Sequence, residues 1–132
     1  MINALSLVNV SSVALGGALG ASSRYACSIL MARLLGSAFP YGTLLVNVLG
    51  SACMGIIATI CAYKGDATHP FSLMVMVGFL GAFTTFSSFS LDTLNLFLNA
   101  EAGMALINVL LNTVLCVVFV TLGMMVTKFF VG

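Results

Sequence analysis

Apolar residues run along this chain in four long blocks, separated by short polar or turn-forming breaks. The first block extends from Leu5 to about Leu35, interrupted only by Arg24 and Arg33, and stops at Gly36-Ser37. The second opens at Pro40-Tyr41-Gly42 and reaches Tyr63, ahead of the polar stretch Lys64-Gly65-Asp66-Ala67-Thr68-His69. The third covers Pro70 to about Asn99, and the fourth runs from near Glu101 to about Phe130. A membrane-spanning helix needs about 20 mostly apolar residues, so the pattern predicts four spans, with neighbours forced antiparallel by the short breaks. Pro40 and Pro70 each suit a first helical position, where a missing N–H costs nothing. Glu101 is an acid well placed at a helix N-terminus. No linker divides the chain, so a single four-span domain over residues 1–132 is expected. The start of the chain lacks a positive region and a clear cleavage site, and is expected to be the first span rather than a removed signal peptide.

Composition supports the membrane reading and removes its competitors. The 132 residues are 61% hydrophobic, and only seven carry formal charge, four Lys/Arg and three Asp/Glu. Soluble domains average about 25% charged residues, and a chain this short has too much surface to cover with so few polar groups. A net charge of +1 offers no basic stripe for phosphate, so nucleic acid is excluded as a partner. Cys27, Cys53, Cys61 and Cys116 fall inside the predicted spans without metal-ligand spacing, and are expected to be small buried hydrophobes. The one histidine, His69, has no evident nucleophile or metal partner, which leaves an enzyme reading without support.

The few cations divide almost evenly across the predicted topology. Lys64 and Lys128 fall on one side, Arg33 on the other, with Arg24 deeper in the first span. The loop bias that normally sets orientation is therefore nearly a tie. Either the topology signal is weak, or the chain inserts both ways and pairs as an antiparallel dimer. Four short helices also enclose too little space for a pathway, so an oligomer is expected on size alone.

Polar residues inside hydrocarbon need a partner or a wet cavity. The first span carries Gly16-Gly17-Ala18-Leu19-Gly20-Ala21-Ser22-Ser23-Arg24-Tyr25, a small-residue pattern that lets a second backbone approach. Arg24 either snorkels or sits at the mouth of a cavity and attracts anions. In the second span Asn47, Gly50 and Ser51 share one helix face; Asn47 is either interhelical glue or a pathway donor. The third span holds Gly78-Phe79-Leu80-Gly81-Ala82-Phe83-Thr84-Thr85-Phe86-Ser87-Ser88-Phe89-Ser90. Glycines weaken a helix and hydroxyls satisfy freed backbone groups, so a local break is expected there. Its carbonyls would suit a hard cation such as Na⁺. Phe86 and Phe89 lie within about 60° of one another around a helix, and an aromatic edge is electropositive enough to face an anion. Asn108 and Asn112 in the fourth span, with Thr113 alongside, form either a packing seam or a polar track, and the hydroxyls of the third span tilt the choice toward a track.

Three ordered motifs resemble those of the Fluc (CrcB) family of small fluoride channels, over nearly the whole chain. They are the Gly-Gly-x-x-Gly-Ala-x-x-Arg-Tyr of residues 16–25, the Gly-Thr-Leu-x-Val-Asn-x-x-Gly-Ser of residues 42–51, and the Gly-x-x-Gly-x-x-Thr-Thr-Phe-Ser-Ser-Phe-Ser of residues 78–90. The resemblance implies an all-α membrane protein with four transmembrane helices per subunit, a break in the third, and an antiparallel dual-topology homodimer with two fluoride pathways. It implies a structural Na⁺ at the dimer centre, held by backbone carbonyls of Gly81 and Thr84 from both subunits. It places Phe86 and Phe89 edge-on to fluoride, Asn47 facing the pore, Thr85 and Ser87 beside the rings, and Arg24 near the entrance. Asp92 stands where the family often has a glutamate, and a vestibule or structural role is implied for it. The implied task is passive export of fluoride from the cytoplasm across the bacterial inner membrane.

The fourth helix departs from the pattern. Where the family often offers aromatic or serine hydroxyls along the pore, this chain places Asn108 and Asn112, and an amide brings a carbonyl acceptor with its donors. Two other classes remain as rivals. A small proton-coupled drug exporter can share the dual-topology architecture, but coupling normally demands an ionisable acid within the membrane, and the first span has none. A non-transporting assembly subunit could use the same small-residue seams, but leaves the ring and hydroxyl block of the third span unexplained.

Overall fold

The computed structural model describes residues 6–131. The expected start of the first block at Leu5 lies outside the described residues. Helix α1 spans Leu7–Leu35, α2 spans Tyr41–Lys64, and α6 spans Ala102–Val131. Between them the chain from Pro70 to Leu98 is built in pieces: α3 Pro70–Leu73, a π-helical stretch Met74–Leu80, α4 Gly81–Phe83 and α5 Phe86–Leu98. No strand occurs among the described residues.

Local chemistry sets the ends. The Ser6 hydroxyl accepts from the Asn9 amide at 3.2 Å and caps α1. Gly65, at φ 70° and ψ 18°, closes α2 in the left-handed conformation that glycine adopts without steric penalty. Pro70 takes the first position of α3, and the His69 Nδ1 caps that helix by accepting from the Phe71 amide at 3.3 Å. Pro40 differs from expectation by one position: it stands at the cap, and Tyr41 is the first helical residue.

Three segments are long and apolar enough to cross a membrane: Tyr41–Lys64, Pro70–Leu98 and Ala102–Val131. Helix α1 has 29 residues, about 44 Å at 1.5 Å per residue, so it has the length. Its serines, glycines and two arginines keep it below the apolarity of the other three.

Packing is arranged by glycine. The π-helical stretch lies along α1, and a Cβ on Gly16 or Gly20 would run into the carbonyl oxygens of Met74 or Phe79. Gly78 answers from the other side, where a Cβ would sit 2.6 Å from the Val13 oxygen and 3.0 Å from the Gly16 Cα. The small-residue motif of the first block is thus the seam against the third. A second seam joins α2 to α6: a Cβ on Gly55 would meet the Val120 oxygen, and one on Gly123 the Ala52 oxygen.

The third segment changes partner along its length. Its first part, through α4, packs on α1, whereas α5 packs on α6. The loops 36–40 and 99–101 meet at one end of the molecule, where both contribute to the same pocket.

Overpacking a backbone contact costs about 1–3 kcal/mol. Gly55→Ala and Gly123→Ala are therefore expected to lower the thermal unfolding temperature in detergent. Gly103→Ala, on α6 with open space around it, is expected to leave it unchanged or raise it slightly.

Candidate functional site

The site is built around two residues with extended backbone. Thr84 has φ −81° and ψ 159°, and Thr85 has φ −155° and ψ 118°, with helix on either side. Extended backbone takes amides and carbonyls off the helical ladder. In an apolar setting each group then needs another partner.

Asn47 of α2 supplies two of them. Its Oδ1 accepts from the Thr85 amide at 2.8 Å, and its Nδ2 donates to the Thr85 carbonyl at 3.1 Å. One primary amide thus closes both backbone groups of a single residue, as a neighbouring strand would. The Thr85 hydroxyl caps α5 by accepting from the Ser88 amide at 3.1 Å, and it also contacts the hydroxyls of Ser87 at 3.2 Å and Ser88 at 3.1 Å. The Thr84 hydroxyl turns back to donate to the Leu80 carbonyl at 2.9 Å.

The carbonyls of Gly81 and Thr84 are among those that lose their usual helical partners in this arrangement. The amide that would close onto the Gly81 carbonyl belongs to Thr85, and it donates to Asn47. The amide that would close onto the Thr84 carbonyl belongs to Ser88, and it donates to the Thr85 hydroxyl. The Arg24 Nη1 approaches the Thr84 oxygen at 3.5 Å, long for a hydrogen bond but placing positive charge beside that carbonyl. Backbone oxygens are the ligand type that a hard cation such as Na⁺ takes, and at Thr84 the Arg24 guanidinium competes for the same oxygen.

From Asn47 the bonding continues into α6 and α5. The Asn47 Nδ2 also donates to the Asn112 Oδ1 at 2.9 Å. The Asn112 Nδ2 donates to the Asn108 Oδ1 at 3.0 Å and to the Asn108 carbonyl at 3.1 Å. The Asn108 Nδ2 donates to the Thr93 hydroxyl at 2.9 Å, which in turn donates to the Phe89 carbonyl at 2.7 Å.

An open groove of about 490 Å³ lies against this framework. Asn47, Thr84, Thr85, Phe86, Phe89 and Asn112 all line it, and Ser51 and Thr113 add hydroxyls. Phe86 is 79% exposed, and its ring lies 5.3 Å from that of Phe89 at 58°. At the other end the wall is apolar, made by Met54, Cys116, Val117 and Val120.

Most of the residues singled out in the sequence come together here, but not all of them. Asn47, Thr85, Phe86, Phe89 and Asn112 share the groove. Ser87 is exposed and joins through the Thr85 hydroxyl. Asn108 does not line the groove: it is 0% exposed and stands behind Asn112. Arg24 reaches the break from α1 and does not line the groove either.

Two participants were given no role in the sequence reading. Thr93 ends the amide series, and its only sequence signal is its place four residues after Phe89. Thr43, four residues before Asn47, donates its hydroxyl to the Asp92 Oδ2 at 2.7 Å. The partner of Asp92 is therefore on α2, at a polar pocket of about 430 Å³ that also holds Asn95, Asn99 and Glu101. Hydrogen bonds to charged groups contribute about 1.5–3 kcal/mol. Thr43→Val is expected to lower thermal stability in detergent by that order, and its combination with Asp92→Asn to fall short of the sum. Additive losses would show that the two side chains are not coupled.

The chain is similar to known proteins over most of its length. The profile of the family described as CrcB-like protein, Camphor Resistance (CrcB), matches residues 11–124. A protein of Nitrobacter hamburgensis named Fluoride-specific ion channel FluC 2 is 44% identical over 121 residues, covering 92% of this chain and 98% of its own. Proteins named Fluoride-specific ion channel FluC are similar as well. That of Aeromonas salmonicida is 51% identical over 112 residues, covering 85% of this chain and 90% of its own. That of Shewanella denitrificans is 50% identical over 120 residues, covering 89% and 94%.

Proposed function

The chain belongs to the CrcB family, and from that premise we propose that it is a passive, fluoride-selective channel. It carries fluoride out of the cytoplasm across the bacterial inner membrane. It works as an antiparallel homodimer of four-span, single-domain subunits, with two fluoride pathways and a structural Na⁺ between them. The observation that carries this reading is the groove in which Phe86, Phe89, Asn47 and the Thr85 hydroxyl converge beside backbone taken off the helical ladder.

Fluoride is small and strongly hydrated, so a pathway must replace its water with donors. The hydroxyls of Thr85 and Ser87 are rotors that turn a proton toward an anion. The positive edges of Phe86 and Phe89 favour it without the trapping that a full cationic charge imposes. Several weak sites in series allow exit as well as entry. Asn47 and Asn112 stand on the wall of this pathway, with Asn108 directly behind, and Arg24 supplies positive potential from the side of the break. A negative cell interior drives the anion outward.

Na⁺ would be held by the carbonyls of Gly81 and Thr84, two of those freed at the break, whose helical partners bond elsewhere. Bound there, it would supply fixed positive charge between two copies of the chain. Gly81 is exposed on the single chain, as a residue shared between two copies needs to be. The near-even placement of the four Lys/Arg residues supports insertion in both orientations.

The test is fluoride efflux from liposomes holding the purified protein, read with a fluoride electrode against chloride as control. Passive fluoride flux without chloride flux is expected, and absence of flux in folded dimer would defeat the reading. Phe86→Ile and Phe89→Ile are expected to reduce flux at least tenfold while leaving the dimer intact; normal conduction in both would remove the ring edges from the mechanism. Replacing Na⁺ by a large organic cation during purification is expected to weaken the dimer in size-exclusion chromatography, an outcome unchanged elution would contradict.

A further inference from the structure

The direction of the bonds in the asparagine series is set by the backbone groups along it: the Thr85 amide and carbonyl at Asn47, the Asn108 carbonyl at Asn112 and the Phe89 carbonyl at Thr93. The Thr85 amide can only donate, so the atom of Asn47 facing it at 2.8 Å must be the oxygen. The Asn47 nitrogen then faces Asn112, whose oxygen must accept; the Asn112 nitrogen faces Asn108, whose oxygen must accept; and the Asn108 nitrogen faces the Thr93 hydroxyl. That hydroxyl, having accepted, donates its own hydrogen bond to the Phe89 carbonyl. No member can flip without leaving two like groups face to face.

We infer that Asn108, Asn112 and Thr93 are positioning residues: a head-to-tail ladder that locks the Asn47 amide onto Thr85 and leaves no bare amide oxygen facing an anion. An asparagine on the groove wall brings a carbonyl that would repel an anion. Here each side-chain oxygen of Asn47, Asn112 and Asn108 already accepts a donor. The same bonds occupy both Asn47 protons, one on the Thr85 carbonyl and one on Asn112. Asn47 is therefore held as a brace for the extended backbone, and Phe86, the next residue, is placed through it. Asn108 acts at a distance, since it is fully buried and absent from the groove wall.

The bearing on flux rests on the channel reading, whereas the lock itself is measured without it. Hydrogen exchange at Thr85, followed by mass spectrometry on the full-length protein in detergent, reads the lock directly. Asn112→Leu and Asn108→Leu are expected to speed exchange of that amide about tenfold, the scale of one lost net hydrogen bond, and to cut fluoride efflux by a similar factor. Thr93 separates bonding from packing and guards against variants that fail to fold. The isosteric Thr93→Val removes the last rung and should speed exchange and slow efflux, whereas Thr93→Ser keeps the hydroxyl and should restore both toward wild type. The reverse order, with Val tolerated and Ser harmful, would make Thr93 a space-filler and overturn the ladder. Unchanged Thr85 exchange in folded Thr93→Val or Asn108→Leu would overturn it as well. A wild-type protein that conducts no fluoride would defeat the channel reading alone, because the exchange measurement still decides the lock.

Discussion

The two hydrogen bonds between the Asn47 side chain and the Thr85 backbone are the contact on which the rest of this structure depends. An extended residue inside an apolar span exposes an amide and a carbonyl that neither water nor helix satisfies. Each unpaired group costs several kcal/mol in hydrocarbon. A primary amide is the one neutral side chain that presents a donor and an acceptor at the spacing of a peptide group, so a single residue can satisfy both. Asn47 is held in turn by Asn112 on α6, which ties the break to the most apolar of the spans.

From this contact follows the change of partner along the third segment. Before the break the chain lies on α1, in a seam that exists because Gly16, Gly20 and Gly78 carry no side chain. After it, α5 lies on α6. The π-helical stretch Met74–Leu80 belongs to the same accommodation. Its carbonyls at Met74 and Phe79 press toward the glycines of α1, an approach that side chains at Gly16 or Gly20 would block. The groove opens where the segment passes from one helix to the other, and there Phe86 and Phe89 project together.

Much of this was legible beforehand, for identifiable reasons. The block lengths gave the helical segments to within a residue or two, because a run of apolar residues bounded by Gly36, Pro40, Gly65 and Pro70 allows few other outcomes. The ring pair and Asn47 stood out in the sequence because their motifs are dense and ordered. The π-helical stretch was not, since a widened helix has the same composition as an ordinary one and is set by what it packs against. The Thr43–Asp92 bond was equally hidden, because it joins residues 49 positions apart and neither residue type specifies the other.

Sequence by itself determined that the chain is apolar, helical and interrupted by hydroxyls in its third block, because hydrophobic run length and glycine placement act locally. It also determined which polar residues had to find partners. Tertiary structure alone decided who those partners are. Asn108 and Asn112 read as a seam or as a track, with only the hydroxyls of the third span tilting toward the track, since i, i+4 spacing says only that two amides share a face. Which way each amide points is settled by the backbone groups within its reach, the Thr85 amide and carbonyl at Asn47 and the Asn108 carbonyl at Asn112, and by bonds passed from one side chain to the next. An asparagine has no preferred orientation of its own; it takes the one its neighbours leave open, and neighbours exist only once the chain has folded.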